Sequence, residues 1–321
     1  MRGPVTLVDI AGAQMGGAAR YAAELHSYLA RTGREDVWLI GAARRVDPGW
    51  LVQRELARPG AARRIALNNV SFVGPGGERW TVLRNALHFL TDEEARGLDP
   101  SLRSSVQRKA ALVRFTTRWA DALVVPSTAM AERVSRALPG TRNRLTVRPH
   151  PVSGSPVAEH PRDRAILVPV LFASYKRMDE RLCELLVALE DQDPAIRVRV
   201  TACRAEVASF VAMHPRVDLL GRIGIAALRE MWTASHAIYY PTGLESFGYP
   251  LAEARVNGQP VIARDTAQNR EIAGSALCGF TPSEPDSLRT AVAVAMTRQP
   301  TPDRAPFDPD QYFEWILGAP Q

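Results

Sequence analysis

Residues 237–263 constrain this chain more than any other stretch. The apolar β-type run Ala237-Ile-Tyr-Tyr240 meets a Pro-Thr-Gly break, a helical segment follows, Gly258 stops it, and a second apolar run begins at Val261. The pattern is one β-loop-α-β unit. Glu245 lies in its loop, Ser246-Phe247-Gly248 are read as opening the helix with free backbone N–H groups, and Pro250 is tolerated in the first turn. A helix N-terminus with small residues around it attracts phosphate.

Glu253 stands eight residues after Glu245. At a helical rise of about 1.5 Å per residue, the two would be roughly 12 Å apart along one axis. A carboxylate pair flanking one scissile bond needs about 5 to 9.5 Å. The spacing instead suits hydroxyls at the two ends of a long ligand whose phosphates lie between them. The plainer alternative is an amphipathic helix with one solvated and one capping glutamate.

The whole string is Glu-x7-Glu, with Ser-Phe-Gly after the first Glu and Gly258-Gln-Pro-Val261 after the second. It resembles the donor-site signature of retaining glycosyltransferases of family four. The resemblance implies an α/β chain of the GT-B fold, two Rossmann-like domains with parallel sheets facing a central cleft. It further implies that Glu245 faces the sugar, that Ser246 and the amides of Phe247, Gly248 and Tyr249 meet the sugar and diphosphate, and that Glu253 holds the ribose.

The chain has 321 residues, 46% hydrophobic and 23% charged, which suits a globular protein of two ordinary domains. No run approaches 18 uninterrupted apolar residues and the N-terminus lacks a secretory pattern, so a soluble cytoplasmic protein is expected. Cys183, Cys203 and Cys278 have neither C-x-x-C nor Cys/His ligand spacing, and are expected to be buried thiols. The formal charge is +6, but the basic residues run along the chain without a dense block or interleaved aromatics. A nucleic-acid partner is therefore not expected. An anionic nucleotide-sugar is, and peripheral contact with an anionic membrane surface is compatible. Of 40 basic residues only Lys109 and Lys176 are lysine, so a compact ammonium has been kept where arginine is otherwise the rule.

Along the chain, apolar runs alternate with helical patterns, which calls for parallel sheets. Val5–Ile10 is a strand; Gly12 to Tyr21 leads into a helix ending near Arg31. The glycines at 12, 16 and 17 do not form the dinucleotide fingerprint. Gly16 and Gly17 resemble instead the family's N-terminal Gly-Gly loop, which approaches phosphate and acceptor. Val37–Ile40 is a strand, and the Arg-rich segment from 44 to 64 is expected to hold a surface helix and loops. In the string from Trp80 to Leu90 the resemblance puts His88 beside the donor sugar and Asn85 on the acceptor side. Outside the resemblance, His88 reads as a satisfied core histidine.

Strands at Leu123–Pro126 and Leu145–Arg148 close the first domain, residues 1–152, and Pro149–Pro161 is the linker. The second domain, 153–305, opens on the strand Ile166–Ala173 and a helix from Glu180 to Leu189. Lys176 matches the family's diphosphate-binding lysine, but the family's preceding arginine is absent from Val170 to Ser174, leaving Arg177 as the candidate substitute. A helix is expected from Ala205 to Met213. Residues 306–321 form a terminal helix expected to cross back to the first domain, with Trp315 as an anchor.

No nucleophile elbow, Walker loop, H-E-x-x-H or D-x-D is present. No metal or resident cofactor is therefore expected, and Lys176, Arg177 and helix N-termini must stabilise the diphosphate leaving group. By resemblance the reaction is hexosyl transfer with retention, from a nucleotide-diphosphate sugar to the hydroxyl of a small or carrier-linked acceptor. A UDP-sugar is favoured over a GDP- or dTDP-sugar, and specialised glycoside or surface-polysaccharide assembly is the expected setting. Two alternatives stay open: a sugar-nucleotide epimerase or hydrolase of the same fold, and a catalytically silent nucleotide-sugar-binding partner.

Overall fold

The computed structural model describes residues 5–57, 60–154, 162–169 and 176–318. The chain divides into two compact units, one of Met1–Val152, Leu244–Phe247 and Phe307–Gln321, the other of Ser153–Gly243 and Gly248–Pro306.

In unit 1 the strands β1 (Thr6–Asp9), β2 (Val37–Ile40), β3 (Arg63–Ala66), β4 (Glu78–Val82), β5 (Ala122–Val125) and β6 (Leu145–Val147) make one sheet in the order β2-β1-β3-β4-β5-β6. Every neighbouring pair is parallel. β1 is buried along its whole length, as a strand covered on both faces must be, while edge strands β2 and β6 stay partly exposed. The helices are α1 (Gly16–Thr32), α2 (Pro48–Glu55), α3 (Asp92–Arg96), α4 (Pro100–Thr116) and α5 (Thr128–Ala137). Asp47, Thr91, Asp99 and Ser127 cap the last four of these through side-chain oxygens.

Unit 2 repeats the plan with β7 (Asp163–Val168), β8 (Arg197–Val200), β9 (Val217–Leu219), β10 (Ser235–Tyr240), β11 (Val261–Arg264) and β12 (Leu277–Phe280), in the order β12-β11-β10-β7-β8-β9. Its helices are α6 (Met178–Ala188), α7 (Ser209–Ala212), α8 (Ile225–Ala234), α9 (Tyr249–Val256), α10 (Ala267–Ala273) and α11 (Pro285–Thr297). The terminal helix α12 (Pro309–Leu317) belongs to unit 1. It lies on α1 through Tyr312 and Phe313 against Tyr21, while Trp315 meets Trp80 at 5.3 Å.

Each sheet reverses direction once. From β1 the chain runs outward to β2 and returns to β3 on the other side; from β7 it runs to β8 and β9 and returns to β10. Loops leaving the carboxyl ends of β1 and β3, and of β7 and β10, therefore diverge, and ligands of open α/β sheets bind in such crevices.

Several expectations need correction. The Arg-rich segment 44–64 does not stay on the surface. It contains α2 and the central strand β3, and Arg54 and Arg64 are each 1% exposed. Burial of Arg54 is offset by pairing at both terminal nitrogens: Nη1 donates to Asp9 Oδ2 at 2.8 Å, and Nη2 to the carbonyls of Val70 and Ser71. Cys183 and Cys203 are exposed and only Cys278 is buried. Cys183 sits one position off the buried stripe of Leu182, Leu185 and Leu186, and Cys203 opens a 3-10 turn. The helix expected over Ala205–Met213 breaks into Arg204–Glu206 and α7, because the Glu206 carboxylate takes the Cys203 N–H and Asp179 takes that of Ala208. Part of the linker (155–161) and of the turn before Lys176 (170–175) lies outside the described residues.

Removing one member of the Asp9–Arg54 pair strands a buried charge, which costs about 3–5 kcal/mol. The exposed Arg31–Asp310 pair should contribute under about 1 kcal/mol. Urea unfolding of Arg54→Ala and Arg31→Ala is expected to show that contrast, and equal midpoints would refute the structural role given to Arg54.

Candidate active site

In unit 2 the turn after β7 brings Lys176 and Arg177 to the start of α6. Arg177 is the N-cap and holds a left-handed backbone at φ 50°, a conformation a residue with a Cβ adopts at some cost. Its guanidinium pairs with Glu180, Nε to Oε1 at 2.7 Å. Both side chains of that pair are exposed, so it is a weak surface contact.

From the next strand of the crevice, β10, the chain runs through Thr242 and Gly243 towards the glutamate motif. Helix α9 starts at Tyr249 rather than Ser246, with Gly248 as N-cap at φ 81°. A Cβ at Gly248 would stand 2.9 Å from Leu251 Cδ1, so glycine suits both the conformation and the space. Glu245 therefore lies four residues ahead of the helix, and helical rise does not set its separation from Glu253. Glu253 is the half-buried residue between buried Ala252 and Ala254, and Tyr249 is buried in the first turn.

Sequence reasoning missed Arg264, the last residue of β11. Its guanidinium is tucked against Gly243, where a Cβ would come within 2.5 Å of Nη1. Nε is buried without a hydrogen-bond partner, and the side chain enters no ion pair among the described residues. Burial, and then the Arg181 guanidinium, lower its pKa, and Arg177 adds to the repulsion. Arg181 is balanced by Glu184 at 2.6 Å; Arg264 has no such partner among the described residues. The sequence signal was an arginine closing an apolar strand at the sheet's carboxyl edge.

In unit 1, Gly16 and Gly17 are the first two residues of α1. That helix has no side-chain cap and no acid in its first turn, which leaves its amides open to an anion. Leu244–Phe247 also belongs to this unit. Ser246 Oγ donates to the Arg84 carbonyl at 2.6 Å, and Ser127 Oγ, the cap of α5, donates to the Ser246 carbonyl at 2.8 Å. The Arg84 N–H is in turn held by Asn69 Oδ1 at 2.7 Å. Phe247 is 2% exposed and packs on His150 and Phe307. These bonds hold Ser246 and Phe247, and so fix the backbone on which Glu245 sits.

Asn85 caps the 3-10 turn Ala86–Phe89 through its own Oδ1. His88 lies in that turn, 7% exposed, with Nδ1 unpartnered among the described residues. Burial, followed by the charges of Lys109 and Arg114, pushes its pKa down to about 4. At neutral pH the imidazole is uncharged. Among the described residues, no group of three or more His, Cys, Asp or Glu is placed to hold a metal ion.

No protein-family model matches this chain, and no curated protein does. Solved structures do. WaaG, a glycosyltransferase involved in lipopolysaccharide biosynthesis, superposes with a TM-score of 0.64 at 15% identity over 98% of this chain and 100% of its own. Anabaena HepE in complex with UDP and glucose gives 0.62 at 15% over 98% and 99%. The sucrose-phosphate synthase of Thermosynechococcus elongatus gives 0.61 at 16% over 99% and 95%.

The chain shares their fold. At these identities the likeness establishes architecture, two Rossmann-like parallel-sheet units consistent with GT-B, and leaves chemistry to the residues.

His88 also makes stability depend on pH. Its folded pKa lies below the ordinary value of 6.5, so its contribution is complete above pH 6.5 and is lost as pH falls towards 4. The loss should be about 3 kcal/mol. Unfolding free energies of wild type and His88→Gln, measured from pH 7 to 4.5, are expected to converge as pH falls. Parallel curves would show that His88 titrates normally.

Proposed function

We propose that this chain is a retaining glycosyltransferase that moves a hexose from a UDP-sugar to an acceptor hydroxyl without a metal ion. The observation that carries the reading is the Glu245–Glu253 string, which follows β10 in the second sheet's switch-point crevice and leads into an α9 opened by Gly248. Lys176 follows β7, the other strand of that crevice. HepE, solved with UDP and glucose, supports UDP as the nucleotide.

In this reading Lys176 and the α9 amides bear the diphosphate, with Gly248 and Tyr249 nearest it, and Glu253 holds the ribose. Arg264 supplies the second cation that the 170–174 stretch lacks, a better candidate than Arg177 because its guanidinium is part-buried with Nε unpartnered among the described residues, whereas Arg177 is exposed beside Glu180. Glu245 and neutral His88 serve the sugar, where charge develops as the leaving phosphate departs. That phosphate assists deprotonation of the acceptor, so no strong protein base is required. The family resemblance assigns Gly16 and Gly17 to phosphate and acceptor, and Asn85 to the acceptor. A carrier-linked acceptor of the kind used in surface-polysaccharide assembly suits this chain.

Given UDP-sugars and a panel of hydroxyl acceptors, NMR of the product anomer in excess chelator is expected to show the donor's configuration. An inverted product, or activity restored only by a divalent ion, overturns the proposal.

The cations are tested separately. Lys176→Ala should lower turnover at least about a hundredfold, on the order of 3 kcal/mol. Arg264→Ala should weaken calorimetric UDP affinity about tenfold, while Arg177→Ala, at an exposed position beside Glu180, should change it little. UDP affinity lost in Arg177→Ala and kept in Arg264→Ala would reverse the assignment.

A further inference from the structure

Helix α4 presents an arrangement that donor chemistry does not use. From Ser101 to Ala120 the sequence holds five cations, Arg103, Arg108, Lys109, Arg114 and Arg118, and no acid. Val106, Ala110, Val113 and Thr116 form the buried stripe of the helix. At 3.6 residues per turn, Arg108, Leu112 and Phe115 fall on the opposite side, where an isolated soluble helix carries polar residues. Yet Leu112 is 40% and Phe115 51% exposed.

The apolar pole continues past the helix. Trp119, in the 3-10 turn Thr117–Trp119, meets the Phe115 ring edge-on at 4.8 Å. Arg118 lies over both rings, 4.4 Å from Phe115 and 5.5 Å from Trp119. The turn is held from beneath by Arg144, whose Nη1 donates to the carbonyls of Thr117, Arg118 and Ala120. Arg103 and Arg114 are committed inward, to the carbonyls of Leu98 and His88. Arg108 and Lys109 are exposed and enter no hydrogen bond or ion pair among the described residues.

We propose that this face of α4 and its following turn bind an anionic lipid surface, with Leu112, Phe115 and Trp119 inserting at the headgroup level and Arg108, Lys109 and Arg118 meeting lipid phosphates. Aromatic rings beside unpaired cations, on an amphipathic helix, are the residue chemistry of interfacial binding. An acidic protein surface would satisfy the cations but would not call for three clustered apolar side chains. Among the described residues no helix is long and apolar enough to cross a membrane.

The test uses the full chain and does not depend on catalysis. Co-sedimentation with vesicles of phosphatidylcholine containing about a third phosphatidylglycerol is compared with phosphatidylcholine alone, at low and at 0.5 M salt. Binding is expected only to the anionic vesicles, and salt should weaken it. Basic residues near an anionic surface each contribute about fivefold in affinity, so Arg108→Glu/Lys109→Glu should bind at least tenfold more weakly. Leu112→Ser/Phe115→Ser should lose a similar factor while keeping the wild-type melting temperature, since both side chains are exposed. Absence of wild-type binding at low salt, or binding by either double variant as strong as that of wild type, overturns the proposal. So does a concentration-dependent dimer that Phe115→Ser abolishes without any vesicle binding, which would assign the face to a second copy.

Discussion

One carboxylate organises the first unit. Asp9, at the carboxyl end of β1, is wholly buried and accepts four hydrogen bonds, from Ala11 N–H and Trp50 Nε1 on one oxygen and from Arg54 Nη1 and Asn68 Nδ2 on the other. Those donors come from the loop after β1, from α2 and from the loop after β3. A single buried charge therefore fixes both sides of the first sheet's switch point. The arrangement is stable only as a set, because each buried polar group depends on the others for its partner. Gly41 completes it, since a Cβ there would fall 2.8 Å from Asp9 Oδ1.

The glutamate motif is anchored by comparable means. Asn69, Arg84, Ser246 and Ser127 form a chain of short hydrogen bonds in which each link comes from a different loop. Each of the three bonds uses a backbone group of one partner, so the chain fixes main-chain position. Arginine does much of the remaining structural work. Arg54 fills the core, Arg144 closes a turn, and Arg84 lies over the Tyr21 ring. Against that background the two lysines stand where this reading assigns an anionic ligand, Lys176 beside the donor and Lys109 on the face of α4.

Strands and helices whose signal is local were legible from the residues. β1, β5 and β10 contain apolar runs, and Ser127 caps α5 as its position suggested, whereas β7 begins three residues ahead of the expected Ile166 with Asp163 and Arg164. What stayed hidden depended on partners distant in sequence. β3 begins Arg-Arg, and nothing local reveals that Arg64 is buried or that Arg54 will meet Asp9 45 positions away. α9 looked longer than it is because Ser246 and Phe247 are small or apolar and follow a break. Their hydrogen bonds and packing within unit 1 hold them out of the helix. The Glu-x7-Glu spacing was legible as a motif, but the distance inferred from it assumed a helix that begins too early. Arg264 escaped notice because an unpaired guanidinium is a property of its surroundings. The α4 face escaped for a related reason: five cations over twenty residues look dispersed until the helix brings two of them, with Leu112 and Phe115, onto its outer side.

The first unit is assembled from three separate pieces of chain, and this has a consequence for biosynthesis. Thr6 Oγ1 donates to the Leu317 carbonyl across 311 positions, and Tyr21 makes ring contacts with both Tyr312 and Phe313. A ribosome delivering roughly 5 to 20 residues per second would present the six strands of this unit well before α12. Until then Tyr21 and Tyr28 of α1 lack the rings of Tyr312 and Phe313, for an interval on the order of 10 to 30 s. The second unit, by contrast, can complete its sheet as soon as β12 emerges. Although its strands come first in the sequence, the first unit is the later of the two to close.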